Sequence, residues 1–279
     1  MNISIFTKRA FLHRDDKHLM RGSSIIRGEQ IASHIGAKLN PTKGYDSDIC
    51  IYVKPHINPT DASSFKFEGI PYLDVVDGFA LRHVLNLHPD ITAIASSKID
   101  GVTLSQNIKN KVVVIPQHHC NFERVKKRTD QVITIGTIGS PYALSCIPSD
   151  LKHEIAKRNM QLIEFSRFFT RQEIIDFYKE IDVQLVWRSY MTLGHIKLSN
   201  PLKLVNSASF GIPTIALDEP TFKELDGCYL PVNSVAEFIS QLDALRTSLS
   251  LYTEYSKKCL KKAEEYHIDN IAKLYKNLL

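Results

Sequence analysis

Short apolar runs alternate along the chain with segments in which apolar residues recur at helical spacing. The apolar runs predict strands over 2–6, 48–53, 70–76, 91–96, 111–115, 131–135, 161–165, 183–186, 212–216 and 228–230. The helical spacing predicts helices over 22–35, 79–87, 99–108, 149–157, 171–180, 201–210, 234–245, 251–263 and 265–278. Because strands and helices alternate and the strands are apolar throughout, the pattern predicts an α/β protein with parallel sheets covered by helices.

One segment interrupts this alternation. Residues 116–130 are polar and charged and show no apolar period, so they are predicted to link two domains. The sequence therefore predicts an N-terminal domain over 1–125, a C-terminal domain over 126–264 and a last helical segment over 265–279.

Composition narrows the class of protein. The 279 residues are 43% apolar and 23% charged, which is typical of globular proteins and excludes disorder, collagen-like repeats and coiled coil as the main architecture. The net charge of +5 is too small to indicate nucleic-acid binding by itself. The five cysteines form no CxxC pair, and neither a signal-peptide core nor an apolar run of membrane-spanning length occurs. We expect a cytoplasmic protein without an integral membrane segment.

The clearest motif is SNPLKLVNSASFGIPTIA, residues 199–216. Asn200, Lys203, Asn206 and Ser207 lie at or near the start of a predicted helix, and Gly211 ends it. Lys203 and Asn206 are three residues apart and therefore share a helix face. Polar groups at a helix N-terminus beside a strand end favour an anionic or polyhydroxyl ligand. The alternative is an ordinary amphipathic helix that stops at a glycine.

This string resembles the donor-sugar helix of GT-B-type glycosyltransferases, in which P-x-K-x-x-E/N is followed by G-x-P. The matching residues are Pro201, Lys203, Asn206, Gly211 and Pro213. The resemblance implies two Rossmann-like domains facing a cleft, with the N-terminal domain on the acceptor side and the last helix crossing back to it. It implies transfer of a hexose or pentose from a nucleotide diphosphate sugar, UDP- or GDP-linked, without a metal or other cofactor.

The resemblance also implies roles for residues of the donor helix. Lys203 is expected to contact the donor phosphates or sugar, and Asn206 to bind ribose or sugar hydroxyls. Asn206 stands where many relatives have a glutamate, so the chain departs from the two-glutamate pattern of the retaining subtype.

Two further passages are predicted to serve the donor. The string ITIGTIG places Gly136, Thr137 and Gly139 where a strand runs into a loop, and glycine lets the backbone approach a phosphate. The alternative is a plain turn, and the absence of GxGxxG disfavours a nicotinamide-dependent enzyme. Arg188 ends another predicted strand and is expected to clamp a phosphate, unless it is a surface residue beside Trp187. His195, in the next loop, is a weaker candidate of the same kind.

Asp77 is the candidate catalytic base for the acceptor hydroxyl. It ends the apolar run LDVV and precedes Gly78, in a passage that resembles the D-x-x-D element of many GT-B N-terminal domains. The base is required if the transfer inverts the sugar configuration. If the configuration is retained, no protein base is required, and Asp77 is expected only to orient the acceptor. The alternative is that Asp77 caps the helix over 79–87. His83 is a lesser candidate base.

The remaining candidates belong to the acceptor side. Arg21 and Arg27 lie where a basic loop enters the first helix, and they are expected to bind an anionic acceptor or the donor phosphate. The alternative is a solvated basic loop. His119 is expected to contact the cleft or to be a simple linker histidine. His118, His119 and Cys120 have no second ligand pair at zinc spacing, so no metal site is predicted.

The acceptor is left open by these patterns. A glycan or a lipid-linked glycan is the first expectation. A virus-type transferase that glycosylates hydroxymethylated bases in DNA is the second, and its binding would depend steeply on salt. A non-catalytic α/β protein that binds a phosphorylated ligand is the third.

Overall fold

The computed structural model describes residues 2–7, 22–57, 60, 62–127, 129–168, 170–189 and 198–278. The chain forms two compact units. The first unit comprises Met1–His118, Ile196–Asn200 and Ile268–Leu279, and the second comprises His119–His195 and Pro201–His267.

The first unit contains a sheet of six parallel strands in the order β2-β1-β3-β4-β5-β6. The strands are β1 (Ile3–Phe6), β2 (Lys38–Leu39), β3 (Ile49–Val53), β4 (Ile70–Val76), β5 (Thr92–Ala95) and β6 (Val112–Val114). The helices are a π-helix (Ser24–Glu29), α1 (Gln30–Ile35), a 3₁₀-helix (Phe79–Leu81), α2 (Arg82–Leu87) and α3 (Lys98–Ser105).

The second unit contains five parallel strands in the order β11-β10-β9-β7-β8. The strands are β7 (Thr134–Ile138), β8 (Gln161–Phe165), β9 (Val183–Val186), β10 (Thr214–Leu217) and β11 (Tyr229–Val232). The α-helices are α4 (Pro141–Ser145), α5 (Ser149–Lys157), α6 (Arg171–Glu180), α7 (Leu202–Ser209), α8 (Val235–Thr247) and α9 (Leu249–Ala263). Two 3₁₀-helices follow β10 and α9 (Pro220–Leu225 and Glu264–Tyr266), and the last helix, α10 (Ile268–Lys276), belongs to the first unit.

Local sequence explains how these helices begin. Ser97 accepts a hydrogen bond from the Asp100 amide at the start of α3, and Ser140 does the same for Ala143 in α4. Thr170 and Glu173 form a capping box at the start of α6. These side chains satisfy amide groups that have no partner within the first helical turn.

Both sheets share one topology. Counted from each unit's first strand, the order is 2-1-3-4-5, and the first unit adds a sixth strand. The strand order therefore reverses between β1 and β3 and again between β7 and β9. Open α/β sheets bind ligands beyond the carboxyl ends of the strands at such a reversal. The predicted fold class, two Rossmann-like parallel-sheet domains, is confirmed.

The structure also differs from the predicted elements. The helix predicted over 22–35 begins as a π-helix, in which Gly28 packs so closely on Thr7, directly after β1, that a Cβ would lie 2.7 Å from Thr7 Cγ2. The sequence pattern missed β2, which has only two residues, and α4, which has five. Such short elements carry too few residues to show a period. No helix of the described residues is long and apolar enough to span a membrane.

Candidate functional site

The carboxyl edge of the second sheet brings Gly139 and Lys203 together. Gly139 follows β7, one of the two strands at the reversal, and Lys203 lies in the first turn of α7. A Cβ on Gly139 would lie 3.0 Å from Lys203 Nζ, so glycine leaves room for the ammonium group. The structure thus joins two of the residues that the sequence assigned to the donor.

Lys203 brings an ammonium group to this edge. In the part of the chain that the structure describes, no hydrogen bond or ion pair engages its ammonium group. Burial lowers the pKa of Lys203 to about 8 because it removes water from the charged group. Repulsion by Arg188 acts in the same direction, and Glu219 acts against it. An anion bound here would favour the charged form.

Arg188 is held by an ion pair. Its Nε lies 2.7 Å from Glu219 Oε1 and its Nη2 lies 2.5 Å from Oε2, so the contact is bidentate. Glu219 is buried, and the guanidinium lies 5.0 Å from the centre of the Phe222 ring. The surface alternative for Arg188 is therefore wrong. Its predicted role as a phosphate clamp stays a prediction.

Asn206 and Ser207 lie in the interior rather than at this edge. Asn206 Oδ1 accepts a hydrogen bond from the Cys120 amide at 2.9 Å. Ser207 Oγ donates to the Leu204 carbonyl at 3.0 Å and lies 2.6 Å from Thr214 Oγ1. Both side chains are buried and fix α7 to its neighbours. Asn200 is half-buried and belongs to the first unit.

Gly136 and Thr137 are also interior residues. They lie inside β7, and a Cβ on Gly136 would collide with Ile181 and Phe177. Gly136 therefore permits close packing beneath the sheet, whereas Gly139 lies half-exposed beyond the strand. Of the three residues in the ITIGTIG string, the structure places only Gly139 beside Lys203.

Asp77 follows β4 at the carboxyl edge of the first sheet. The helix after it starts from Gly78 without a side-chain capping bond, so the capping alternative is wrong. Asp77 Oδ1 instead accepts a hydrogen bond from Lys54 Nζ at 2.5 Å, and both side chains are roughly half exposed. Lys54 follows β3, the strand beside β4. His83 is exposed on α2, and its role stays a prediction.

The backbone beneath this pair is strained. Lys54 has a φ of 42° and Val76 a φ of 54°, in the left-handed region that favours glycine. Such residues cost about 1–3 kcal/mol each, whereas a partly exposed ion pair contributes about 0.2–1 kcal/mol. The Lys54–Asp77 ion pair therefore contributes less stability than the left-handed backbone conformation of Lys54 costs. Sequence analysis missed Lys54, although its place directly after an apolar strand was a signal for it.

Three acceptor-side candidates remain. Arg27 is buried, with Nε 2.5 Å from Asp74 Oδ2 and Nη1 2.8 Å from the Ile115 carbonyl oxygen. Its guanidinium therefore braces the interior of the first unit, contrary to the solvated-loop alternative. His119 is buried, and its Nδ1 accepts a hydrogen bond from the Asn121 amide at 3.2 Å. Arg21 lies outside the described residues, and so does His195, the weaker candidate on the donor side.

No metal centre is evident in the described ranges. Among those residues, no group of three or more His, Cys, Asp or Glu side chains is placed to hold a metal ion.

Comparison with known proteins identifies the fold. No family profile matches the sequence, and no curated protein matches it. Solved structures do match, among them three that each align with 83% of this chain. A mutant of S. aureus TarM, solved with Fondaparinux, alpha-GlcNAc-glycerol and UDP, has a TM-score of 0.55 at 13% identity over 55% of its own chain. The OtsA apo structure has a TM-score of 0.57 at 12% identity over 72% of its chain.

The third structure is the alpha,alpha-trehalose 6-phosphate synthase from Burkholderia multivorans. Its TM-score is 0.56 at 10% identity over 70% of its chain. The chain thus spans about half the length of TarM and a larger share of the length of the two other proteins. These structures are GT-B glycosyltransferases, and at such identities the likeness establishes the fold. The chain has the GT-B fold.

Proposed function

We propose that this protein is a glycosyltransferase that moves a sugar from a nucleotide diphosphate sugar to a hydroxyl acceptor. The observation that carries the proposal is the ammonium of Lys203 beside Gly139, at the strand-order reversal of the second sheet. Within the described residues this ammonium has no hydrogen bond or ion pair. A structure of the same fold, S. aureus TarM, contains UDP. In this proposal the second unit binds the donor.

The chemistry of transfer explains why a cation is needed at this edge. As the bond between the sugar and the diphosphate breaks, negative charge grows on the leaving diphosphate. A fixed, poorly hydrated cation stabilises that charge more than water does, because it needs no reorganisation during the reaction. In the proposal Lys203 supplies the charge without a metal, and the Arg188–Glu219 pair forms the wall beside it.

The proposed acceptor is the hydroxyl of a glycan or a lipid-linked glycan. Asp77, at the carboxyl edge of the first sheet, is the candidate base for that hydroxyl in a transfer that inverts the sugar configuration. A DNA acceptor can be distinguished from a glycan, because the affinity of the protein for DNA would fall steeply as the salt concentration rises. A non-catalytic binding protein would bind the nucleotide without turnover, and Asp77→Asn would leave that binding unchanged.

Calorimetric titration of UDP and GDP tests the proposed donor site. Lys203→Ala should weaken binding of the preferred nucleotide by about tenfold to a hundredfold, since charge-assisted contacts are worth about 1.5–3 kcal/mol. Lys257→Ala is the matched control, because Lys257 is an exposed lysine of α9 in the same unit. Equal affinity in the wild type and Lys203→Ala would contradict the placement of the donor at Lys203.

A further inference from the structure

The strained backbone at Lys54 calls for a reason beyond stability. Lysine holds a left-handed conformation there that glycine would adopt without strain. Its ammonium group makes one contact in the described structure, to Asp77, and that contact is roughly half exposed to solvent. Since the contact contributes less than the conformation costs, the side chain serves something other than the fold.

The neighbouring strand is shaped to present Asp77. The register of β4 against β5 shifts between Asp74 and Val76, which marks a β-bulge or a similar irregularity. Asp74 is fully buried, whereas Asp77 emerges at the edge. A bulge re-aims the side chains that follow it, and bulges are frequent beside active sites.

Hydrogen bonds hold this arrangement in place. Ser96 Oγ donates to the Val76 carbonyl at 3.1 Å, and the Lys54 amide donates to the Asp74 carbonyl at 2.8 Å. The two strained residues are thus fixed by adjacent strands rather than by their own preferences. Strain that the surrounding structure enforces in this way is concentrated at functional sites.

We propose that Lys54 is a positioning residue of the acceptor site, which holds Oδ1 of Asp77 so that Oδ2 receives the proton of the acceptor hydroxyl. The inference rests on the proposed function and on a transfer that inverts the sugar configuration. Within the described residues the Asp77 carboxylate has no side-chain partner besides Lys54, so Oδ2 is open. Lys54 acts through Asp77 and does not touch the reacting atoms.

The proton and electron movements balance. The acceptor oxygen forms a bond to the anomeric carbon of the sugar, and its proton passes to Asp77 Oδ2. The bond from that carbon to the diphosphate breaks, and its electron pair stays on the diphosphate. The proton later leaves Asp77 for solvent.

Thermal unfolding tests the argument from strain. Lys54→Gly should melt at or above the wild-type temperature, by up to about 4 °C, because relief of strain outweighs loss of the ion pair. Asn159→Gly is the matched control, since Asn159 also has a positive φ, of 54°, but lies after α5, away from the proposed site. A clear fall in the melting temperature of Lys54→Gly would show that Lys54 serves the fold and would overturn the inference.

Donor hydrolysis tests the role in the reaction without an identified acceptor, because water takes the place of the hydroxyl. UDP-glucose and GDP-mannose serve as probes with the full-length chain. Lys54→Gly and Lys54→Met should lower kcat by about a hundredfold, the effect of a displaced catalytic group, with an unchanged KM for the donor. Lys54→Arg should retain most of the rate, and Asn159→Gly all of it.

The outcomes separate this inference from the proposed function. If UDP or GDP binds but Lys54→Met turns over like the wild type, the inference is overturned and the donor site stands. Donor binding without hydrolysis above the rate in buffer also overturns the inference. If neither nucleotide binds the wild type, the proposed function fails and the inference fails with it.

Discussion

At the scale of single residues, Lys203 shows how much the residue spacing of a sequence motif can predict. Its place in the P-x-K-x-x-N string assigned Lys203 to the donor site. The structure places its ammonium beside Gly139, without a hydrogen bond or ion pair among the described residues. Asn206 and Ser207 belong to the same string but are buried, because α7 is buried on all sides from Leu204 to Ser209. The spacing identifies a helix face, whereas only the packing shows which part of that face reaches solvent.

The charge of Lys203 predicts a pH-dependent affinity. Its pKa of about 8 in the free protein means that the ammonium loses its proton as the pH rises through 8. A bound diphosphate favours the charged form, so the affinity for UDP or GDP should be highest below pH 8 and fall by up to tenfold per pH unit above it.

Calorimetric titrations between pH 7 and 9.5 measure this dependence. Lys203→Arg supplies the control, because the guanidinium stays charged throughout this range and should give a flat profile. A wild-type profile as flat as that of Lys203→Arg would exclude Lys203 as the phosphate contact.

At the scale of elements, periodicity predicted most of the strands and helices, because their apolar faces meet the core. It could not predict the register shift in β4 or the left-handed residues at Lys54 and Val76. These features depend on contacts with neighbouring strands that lie far away in sequence. Lys54 was missed for this reason, since its partner Asp77 is close only once β3 and β4 pair.

Gly136 and Gly139 looked equivalent in the ITIGTIG string, but the structure shows that their surroundings differ. Gly136→Ala should destabilise the second unit by about 1–3 kcal/mol, because the added methyl group meets Ile181 and Phe177 in a packed core. Gly139→Ala should cost less stability, because its nearest neighbour is the far end of the Lys203 side chain.

The two variants should therefore show opposite defects. Gly136→Ala should lose more stability, and Gly139→Ala should lose more affinity for the nucleotide. Gly139→Ala should weaken nucleotide binding by displacing the ammonium, and folded Gly136→Ala should bind like the wild type. Denaturant unfolding and calorimetry on both proteins measure the contrast. Weaker binding by Gly136→Ala alone would mean that the wrong glycine has been assigned to the donor.

At the scale of the whole molecule, two units repeat one sheet topology, and the chain returns to the first unit through α10. Ile268, Ile271 and Tyr275 of α10 are buried, and the Arg27–Asp74 pair lies inside the same unit. The alternation of strands and helices predicted the paired α/β architecture. The place of Arg27 could not be predicted, because nothing local to it marks Asp74 as its partner.

Thermal unfolding of the full-length chain with and without nucleotides is the most direct test that this GT-B fold binds a nucleotide diphosphate. A ligand at a hundred times its Kd stabilises the native state by about 2.7 kcal/mol. We expect UDP or GDP, but not NAD, to raise the melting temperature of the wild type by several degrees. If no nucleotide diphosphate or nucleotide sugar shifts the transition at millimolar concentration, the assignment of this protein as a glycosyltransferase is contradicted.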